Sequence, residues 1–351
     1  MKKLKIAQIA PLWFSIPPEK YGGTERIVHF LTEGLVKKGH DVTLFASGDS
    51  KTKAKLISVI KKGLIYQGIP WHDWRWNNFN YSVAFERANE FDIIHSHCSH
   101  WNILGADFQK LVKTPLLHTF HNIPKKSDPR WKIFDYYKND INIVFISKSE
   151  KRNCPVKFKR SWVVYNGIDL NQFKFNPNPK DYFVWIARIS KAKGIENAIL
   201  AAEKTGVKLL LAGPIKPTME NYFKTQIKPR LTKKIKYVGE LPQEKLSDFY
   251  GSAKACLYPI EWEEPFGLIM AESMACGTPV IAFDRGSVRE VVKDRKTGFI
   301  VKNIEEMIEA IKKIDEIKRE NCRAWVKKKF TIERMVNDYE KVFYQIIRKG
   351  S

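Results

Sequence analysis

The sequence predicts an α/β protein built from two doubly wound, parallel-sheet domains. Three observations lead to this prediction: the length of 351 residues, the alternation of short apolar runs with amphipathic segments, and the restart of that alternation after a Pro/Asn-rich stretch at 171–180. A chain of this length fits two domains of ordinary size better than one small core. Short, nearly continuous apolar runs separated by helices are typical of parallel strands joined by crossover connections.

The first domain is predicted at residues 1–165. Its strands are expected in the apolar runs "LKIAQIA", "HDVTLFA", "FDIIHSH", "PLLHTFH" and "NIVFIS". A Gly-rich turn after the first run leads into a helix from about Thr24 to Lys38. The alternation of strands and helices predicts one doubly wound sheet.

The second domain is predicted at residues 166–330, with strands in "YFVWIARI", "VKLLLAG", "IKYVGEL", "ACLYPI" and "PVIAF". Such sheets bind ligands outside the carboxyl ends of their strands, so two consecutive domains are expected to face a shared cleft that holds the active site. Residues 331–351 are predicted to form a helix that returns toward the first domain. This helix carries an apolar stripe, which predicts a packing face against the domains: Met335, Tyr339, Val342, Phe343 and Ile346.

Charge is the most unusual feature of the composition. The chain has 61 Lys and Arg against 38 Asp and Glu, a net charge of +23, and both halves are basic. Such a field favours polyanionic partners, which include nucleic acid, acidic lipid and phosphorylated ligands. The alternative is a set of solvated, lysine-rich faces.

The sequence shows no signal for membrane insertion or for disulfides. No window approaches the ~20 apolar residues that a membrane span requires. The five cysteines are scattered and form no close pair, which indicates reduced thiols. We therefore expect a cytoplasmic protein, with peripheral contact to the inner face of the cell membrane as an open alternative.

The segment "IPWHDWRWNNFNY", residues 69–81, interrupts the alternation. It carries three tryptophans, a phenylalanine and a tyrosine among polar residues, which predicts a loop. Aromatic side chains in a polar loop can stack on sugar rings or bases, or they can cover the surface of one domain. Both interpretations stay open at this point.

Two carboxylates, Glu264 and Glu272, stand eight residues apart in "EEPFGLIMAESMACGTPVIAF". Pro265 favours an extended conformation at Glu264 and a helix that starts directly after it. A helical run from Phe266 to Glu272 would span roughly 9 Å at ~1.5 Å per residue. The two carboxylates therefore do not easily converge on one bond as an acid/base pair.

Backbone N–H groups between these carboxylates are expected to form an anion site. Phe266, Gly267 and Leu268 would lie at the N-terminus of the helix, and Gly267 would let a ligand approach the backbone closely. A nucleotide sugar has a diphosphate in its middle, a sugar at one end and a ribose at the other. We therefore predict that Glu264 binds the sugar and Glu272 the ribose, whereas an acidic loop end and a surface glutamate are the structural alternative.

Glycines and cations at other strand ends fit the same ligand. In "YGGTER", the pair Gly22-Gly23 follows the first strand, where backbone amides can approach a phosphate. In "ARISKAKG", Arg188 and Lys193 follow the first strand of the second domain. These two cations could neutralise a diphosphate leaving group without a metal, and a solvated basic loop is the alternative.

Histidines accumulate at the strand ends of the first domain. His121 is the candidate for bonding a sugar hydroxyl or for lying near the reacting carbon. His95, His97, His100 and His118 stand at neighbouring strand ends, so metal ligation is an alternative that their spacing disfavours.

These residues resemble the retaining glycosyltransferases of the GT-B fold, in the family called glycosyl transferases group one, or family four. The most specific match is "EEPFGLIMAESMACGTPVIAFDRGSVREVV", which is similar to the Glu-x7-Glu signature of that family. The resemblance covers nearly the whole chain, with further matches at "YGGTER", "KKGHDVTLF", "FDIIHSH", "VVYNGID", "ARISKAKGIENAI", "LAGP" and "YVGEL". It implies two Rossmann-like domains facing a cleft and a C-terminal helix that packs back on them.

The resemblance also implies residue roles. Gly23 would contact the donor phosphate, and backbone around Val238 and Leu241 would hold the base. The family generally works without a bound metal and retains the anomeric configuration, with the departing phosphate helping to deprotonate the acceptor. The chain reads "DRGSVRE" where the family commonly has an acidic Gly-Gly-x-x-Glu, so the donor contacts of Arg285 and Ser287 do not follow from the resemblance.

The sequence therefore predicts a metal-independent, retaining glycosyltransferase that uses no cofactor. It would move a hexosyl unit from a UDP- or GDP-sugar to a glycan, lipid or small-molecule acceptor. The alternatives are a nucleotide-sugar epimerase or sugar phosphorylase on the same fold, and, from the charge alone, a nucleic-acid-binding protein, although no nucleic acid partner is expected. The predicted catalytic residues are His121, Arg188, Lys193 and Glu264, and the predicted donor-binding residues are Gly22, Gly23, Val238, Leu241, Phe266, Gly267, Leu268 and Glu272.

Overall fold

The computed structural model of the chain describes residues 2–20, 22–70, 73–97 and 109–350. The chain divides into two compact units, the first formed by Met1–Gly167 with Ile332–Ser351 and the second by Ile168–Thr331. Each unit contains a parallel β-sheet with helices, which confirms the predicted fold class.

The described part of the first unit contains a seven-stranded parallel sheet in the order β3-β2-β1-β4-β5-β6-β7. Strand β1 lies between β2 and β4, with Ile6 opposite Val42 on one side and Ile93 on the other. The strands are β1 Lys5–Ile9, β2 Asp41–Phe45, β3 Lys55–Ile57, β4 Ile93–Ser96, β5 Leu116–Phe120, β6 Asn142–Phe145 and β7 Arg160–Val163. The five strands expected from the sequence are all present, and the two edge strands, β3 and β7, were not predicted.

In the described part of the first unit, four helices lie between these strands. They are α1 Gly23–Lys37, α2 Arg75–Glu86, α3 Trp131–Tyr136 and α4 Lys148–Asn153, with short 3₁₀ turns at Leu64–Gln67 and Ala88–Glu90. Helix α1 begins and ends within one residue of its predicted bounds and buries Ile27, Val28, Leu31 and Leu35. These positions follow the spacing that places side chains on one face of a helix.

The prediction of a loop at 69–81 is wrong for its second half, because α2 begins at Arg75. Buried polar groups hold this helix to strand ends: Asn77 Oδ1 accepts from the N–H of Leu12 at 2.9 Å, and Tyr81 bonds Ser96. Tyr81 is fully buried, whereas three aromatic side chains are 37–51% exposed: Trp74, Trp76 and Phe79. The segment therefore both fills the core and leaves aromatic surface in water, while Trp71 lies outside the described residues.

The second unit contains a six-stranded parallel sheet in the order β10-β9-β8-β11-β12-β13. Val184 of the central strand β8 lies opposite Leu210 and Cys256. The strands are β8 Phe183–Ile186, β9 Leu209–Ala212, β10 Ile235–Tyr237, β11 Ala255–Tyr258, β12 Val280–Phe283 and β13 Gly298–Val301. All five predicted strands are present, and the unpredicted strand, β13, is again at an edge.

The helices of the second unit alternate with its strands. They are α5 Ile195–Thr205, α6 Glu220–Tyr222, α7 Gln243–Gly251, α8 Leu268–Ala275, α9 Val288–Val291, α10 Ile304–Lys312 and α11 Arg319–Lys329. Single turns of 3₁₀ or π helix occur at Lys191–Lys193, Pro217–Met219, Phe223–Ile227, Lys228–Arg230 and Ile314–Glu316. None of the described helices has the length and apolarity of a membrane-spanning segment.

The last helix, α12 Ile332–Gly350, belongs to the first unit and packs on α1. The approach is close, because a Cβ at Gly34 would come within 2.4 Å of Val336 Cγ2. Glu340 pairs with Lys38 and lies 2.9 Å from Nε2 of His40. The predicted apolar stripe of this helix is buried, as expected for a packing face.

Candidate active site

Glu264 follows β11 in the second unit, and its side chain is held through one oxygen. Oε2 accepts hydrogen bonds from Lys193 Nζ at 2.8 Å, Tyr258 Oη at 2.6 Å and Trp262 Nε1 at 3.0 Å. Among the described residues, none donates to the other oxygen, Oε1. Because Glu264 is only 8% exposed, its carboxylate has a fixed orientation and a remaining acceptor for a ligand hydroxyl.

The charge of Lys193 is balanced by Glu264, a pairing that was not predicted from the sequence. Its ammonium also lies 4.5 Å from the centroid of the Trp262 ring, and its side chain is 15% exposed. A lysine whose charge is matched by a carboxylate attracts a diphosphate less strongly than an isolated cation does. The structure therefore brings together two residues that were predicted to contact different parts of the donor, and the role of Lys193 at the diphosphate stays a prediction.

Arg188 is the second predicted cation, and it makes no ion pair or hydrogen bond with any described residue. Burial, and after it the positive charge of Arg188, lower the pKa of Lys216 below its ordinary value. Two cations close to each other repel, and a bound anion would relieve that repulsion. This part of the second unit is therefore suited to an anionic group, and Lys216 was not predicted from the sequence.

The helix after Glu264 begins later than predicted. Helix α8 starts at Leu268, so Pro265 and Phe266 lie outside it, and the cap residue Gly267 has a left-handed φ of 77°. A side chain at Gly267 would meet Met270 Cε at 2.4 Å and Glu264 Cγ at 3.2 Å, so the chain turns tightly here. Phe266 instead packs its ring in the core against Phe330.

Two of the three predicted backbone donors remain at the start of α8. The N–H groups of Gly267 and Leu268 make no hydrogen bond with any described residue. Free N–H groups at a helix start attract anions. The predicted anion site is thus retained at Gly267 and Leu268, whereas the N–H of Phe266 is not part of the helix.

The loop "DRGSVRE" forms hydrogen bonds with the backbone around Glu264. Ser287 donates its N–H to the carbonyl of Glu264 at 2.9 Å and its hydroxyl to the carbonyl of Phe266 at 2.8 Å. A Cβ at Gly286 would come within 2.3 Å of the backbone of Glu264. Ser287 is fully buried and Arg285 is exposed, so Ser287 positions the Glu264 backbone.

The remaining donor-binding candidates of the second unit lie on different elements. Glu272 is inside α8, only 4% exposed, and accepts from Tyr250 Oη at 3.1 Å. Val238 follows β10, its side chain is 42% exposed, and its N–H donates to Leu211 O at 2.9 Å, so that N–H is already used. The roles of Glu272 at the ribose and of Val238 and Leu241 at the base stay predictions.

Gly22 and Gly23 stand where α1 begins in the first unit. Gly22 is the cap residue with φ of 151°, and a Cβ there would meet Pro18 Cβ at 2.7 Å. Burial raises the pKa of the nearby Glu25 to about 7, so a large part of this carboxyl is protonated in neutral solution. A protonated Glu25 repels a phosphate less than a carboxylate would, so it does not prevent a phosphate from binding at Gly23. The phosphate contact of Gly23 stays a prediction.

In the first unit, the side chains of His97 and Gln8 set the tautomer of His121. Nε2 of His97 lies 2.7 Å from Oε1 of Gln8, and Nδ1 of His97 lies 3.0 Å from Nε2 of His121. With the amide oxygen of Gln8 assigned to the side that faces His97, His97 carries its proton on Nε2 and accepts at Nδ1 from His121. Burial lowers the pKa of His97 well below its usual range and that of His121 to about 3, so both rings are neutral. Nδ1 of His121 is therefore an unprotonated acceptor, as a contact with a sugar hydroxyl would require.

His95 of the first unit takes part in a buried hydrogen-bond chain. His95 bonds Thr119 Oγ1 through Nε2 at 2.8 Å, and Thr119 lies 3.0 Å from Tyr339 Oη. Among the residues that the structure describes, no three His, Cys, Asp or Glu side chains are arranged to hold a metal ion. His100 lies outside the described residues, and a metal-independent reaction stays a prediction.

Replacement of His118 by leucine is expected to reduce the acid sensitivity of the fold. Burial lowers the pKa of His118 from 6.5 to about 4, so near pH 5 the unfolded chain binds a proton there that the folded protein does not. The stability contributed by the neutral ring is present above pH 6.5 and is lost as the pH falls toward 4. Between pH 7 and pH 5 the wild type should lose roughly 2 kcal/mol more free energy of unfolding than His118→Leu. Urea titrations at both pH values measure this, and equal losses would contradict it.

Several site residues were not predicted from the sequence. Tyr258 and Trp262 stand beside Glu264 in "LYPIEWEE", where aromatic side chains with a polar tip at a strand end were the available signal. Gln8 is a polar residue inside an apolar strand, which was a similar signal. The sequence contains no signal that marks Lys216 as a site residue, because lysines are common in polar turns.

Two family models match this chain in consecutive segments. Residues 168–330 match the model described as Glycosyl transferases group 1, and residues 21–172 match the model described as Glycosyltransferase Family 4. Among curated proteins, an uncharacterized glycosyltransferase of Methanocaldococcus jannaschii, MJ1607, is 24% identical over 339 residues, which cover 84% of this chain and 85% of that protein.

Solved structures resemble the chain over nearly its whole length. Sucrose-phosphate synthase from Thermosynechococcus elongatus has a TM-score of 0.83 at 22% identity and covers 99% of this chain and 100% of that one. Anabaena HepE in complex with UDP and glucose has a TM-score of 0.76 at 18% identity, with 97% and 100% covered. These similarities identify the fold as GT-B.

Proposed function

Because this chain belongs to the glycosyl transferases group 1 family and is a GT-B glycosyltransferase, we propose that it transfers a hexosyl unit from a nucleotide-diphosphate sugar. The proposed acceptor is a glycan, a lipid or a small molecule. We further propose that the reaction retains the anomeric configuration and needs no bound metal. A UDP-sugar is the first choice of donor, because the structurally similar HepE was solved with UDP and glucose, and a GDP-sugar is the alternative.

The observation that carries this proposal is the setting of Glu264. One of its oxygens is fixed by three donors and the other is open, while the free N–H groups of Gly267 and Leu268 follow directly in the chain. The two features adjoin, since Glu264 Cγ lies 3.2 Å from the position of a Cβ on Gly267. An acceptor for hydroxyls beside donors for an anion suits a sugar that is linked to a phosphate.

Arg188 and Lys216 would support departure of the nucleotide. In the proposed reaction the bond from the anomeric carbon to the phosphate oxygen breaks, and its electron pair stays on the diphosphate. The acceptor oxygen forms the new bond to the anomeric carbon, and its proton passes to the departing phosphate. Cations held in place before the reaction stabilise this developing charge without reorganising, which is often the largest contribution to catalysis. In the first unit, Nδ1 of His121 is the proposed acceptor for a sugar hydroxyl.

A thermal-shift series tests the proposed donor. UDP, UDP-hexoses, GDP-mannose and ADP-glucose are compared, and we expect a UDP-sugar to raise Tm most, because a ligand at ~100 times its Kd stabilises the folded state by about 2.7 kcal/mol. Glu264→Gln should lose the extra shift that the sugar adds but keep the shift from UDP alone. A shift with the GDP-sugar only would correct the base, and no shift with any nucleotide would contradict the proposal. Proton NMR of the glycoside formed with the identified donor then reads out retention.

A further inference from the structure

We propose that a surface of the first unit around α3 docks the protein on an anionic membrane. This surface, the α3 face, consists of Lys110, Leu111, Lys132, Ile133 and Tyr136. The proposal does not depend on the donor chemistry proposed above, because it concerns a different part of the protein and a different readout.

The α3 face exposes large apolar side chains. Leu111 is 76% exposed and Tyr136 is 72% exposed, the two highest values among large hydrophobic residues in the described part of the chain. Ile133, at 40%, stands three residues before Tyr136, so both lie on the same side of α3. The opposite side of the helix buries Trp131 and Phe134 in the core. Helix α3 is therefore anchored through one side and presents apolar groups to water on the other.

Contacts join the two segments of this surface. Lys110 Nζ lies 5.5 Å from the ring centroids of both Tyr136 and Tyr137. The two tyrosine rings contact each other with centroids 4.9 Å apart. The chain at Lys110 and Leu111 therefore lies beside the end of α3, although more than twenty residues separate them in the sequence.

The surroundings of the α3 face are strongly basic. Residues 109–140 contain seven Lys and Arg against three Asp. All three aspartates are paired, Asp128 with Arg130, Asp135 with Lys138, and Asp140 with Lys110 of the face at 3.4 Å. Four exposed lysines of this stretch form no ion pair with any described residue: Lys113, Lys125, Lys126 and Lys132.

The combination of aliphatic and cationic groups favours a lipid surface. Leucine and isoleucine enter the boundary between headgroups and acyl chains, tyrosine is suited to the same depth, and lysines are attracted by anionic headgroups. A nucleic acid would be attracted by the same lysines, but its phosphates and sugars would gain nothing from covering the aliphatic side chains of Leu111 and Ile133. A neutral glycan would gain nothing from the uncompensated lysines.

Co-sedimentation with vesicles tests the proposal on the full chain. The vesicles are phosphatidylcholine alone or mixed with phosphatidylglycerol, at low and at high ionic strength. One variant removes apolar groups, Ile133→Ser with Tyr136→Ser, and another removes charge, Lys126→Ala with Lys132→Ala. The matched controls are Trp76→Ser with Phe79→Ser on α2, and Lys233→Ala with Lys236→Ala on exposed positions of the second unit. Circular dichroism and Tm establish that each variant is folded.

We expect the wild type to bind mixed vesicles and to be released by salt. The lysine variant should bind roughly 20-fold less, since each lysine near an anionic surface contributes about a five-fold change in partitioning. The apolar variant should lose binding even at low salt, and both controls should bind as the wild type does. Three outcomes would each overturn the proposal. The first is a wild type that does not bind the vesicles, and the second is a loss of binding that is equal in the α3 variants and the controls. The third is that the α3 substitutions abolish a concentration-dependent dimer of the protein and not binding to vesicles.

Discussion

Glu264→Ala is expected to lower kcat/KM for glycosyl transfer by roughly 100-fold or more, comparable with the loss of one preorganised hydrogen-bonding group in an active site. The substitution removes the open oxygen Oε1, and it also leaves Lys193, Tyr258 and Trp262 without their shared acceptor. An ammonium that loses its partner in a site of low exposure is costly, so the site itself should rearrange. Initial rates with the donor identified by thermal shift measure the effect.

Two further variants separate the two tasks of Glu264. Glu264→Gln keeps an oxygen for the three donors but replaces the open oxygen by an amide NH2 and removes the charge that balances Lys193, so it should lose sugar binding. Lys193→Ala removes the cation and should also lower transfer by roughly 100-fold. Glu261→Ala is the matched control, because this carboxylate stands on the same loop but accepts from Asn197 at 2.8 Å instead of from the donors of Glu264. Near-normal rates in folded Glu264→Ala and Lys193→Ala would refute the assignment of the site, as would a loss in Glu261→Ala of equal size.

Gly194→Ala is expected to destabilise the second unit by about 3 kcal/mol or more, the sum of left-handed backbone strain and overpacking. Gly194 has φ of 72°, and an added Cβ would lie 1.7 Å from the carbonyl oxygen of Pro259. Backbone must shift to accommodate it, since the obstructing atom is not the end of a flexible side chain. The shift would move Pro259, which precedes Glu264 on the same loop, so activity should fall as well.

Gly206→Ala provides the control for this prediction. Gly206 has φ of 70°, but the nearest atom to an added Cβ is Lys234 Nζ, at 3.8 Å. The two variants share the same backbone strain, about 1 kcal/mol, and differ in available space. Urea unfolding and transfer rates of both variants measure the difference. Equal destabilisation would show that the contact with Pro259 is not limiting.

Most of the parallel sheets could be predicted from the sequence because their inner strands are buried on both faces. Every strand expected from an apolar run is present, from Lys5–Ile9 to Val280–Phe283. The three strands that were missed are edge strands: Lys55–Ile57, Arg160–Val163 and Gly298–Val301. An edge strand meets the solvent along one side, so its residues need not form a continuous apolar run.

Helix bounds were predictable only where local signals agreed. The bounds of helix α1 agree within one residue with those predicted from the preceding glycines and the apolar spacing. Pro265 predicted a helix start that the structure moves to Leu268, because Gly267 turns the chain with a left-handed φ and Phe266 enters the core. The polar and aromatic residues around Arg75 predicted a loop, yet buried hydrogen bonds from Asn77 and Tyr81 hold a helix there. In both cases a tertiary contact outweighed the local preference.

The sequence by itself determined the alternation of strands and helices, the family resemblance, and the residue types available at the strand ends. Burial periodicity and short motifs are local properties, and they can be read along the chain. Only the tertiary structure decided which of these residues meet: Lys193 with Glu264 across 71 positions, His97 with Gln8 across 89, and Lys110 with Tyr136 on the α3 face. The physical reason is that a hydrogen bond or an ion pair depends on distance and direction in space, which a one-dimensional pattern does not contain.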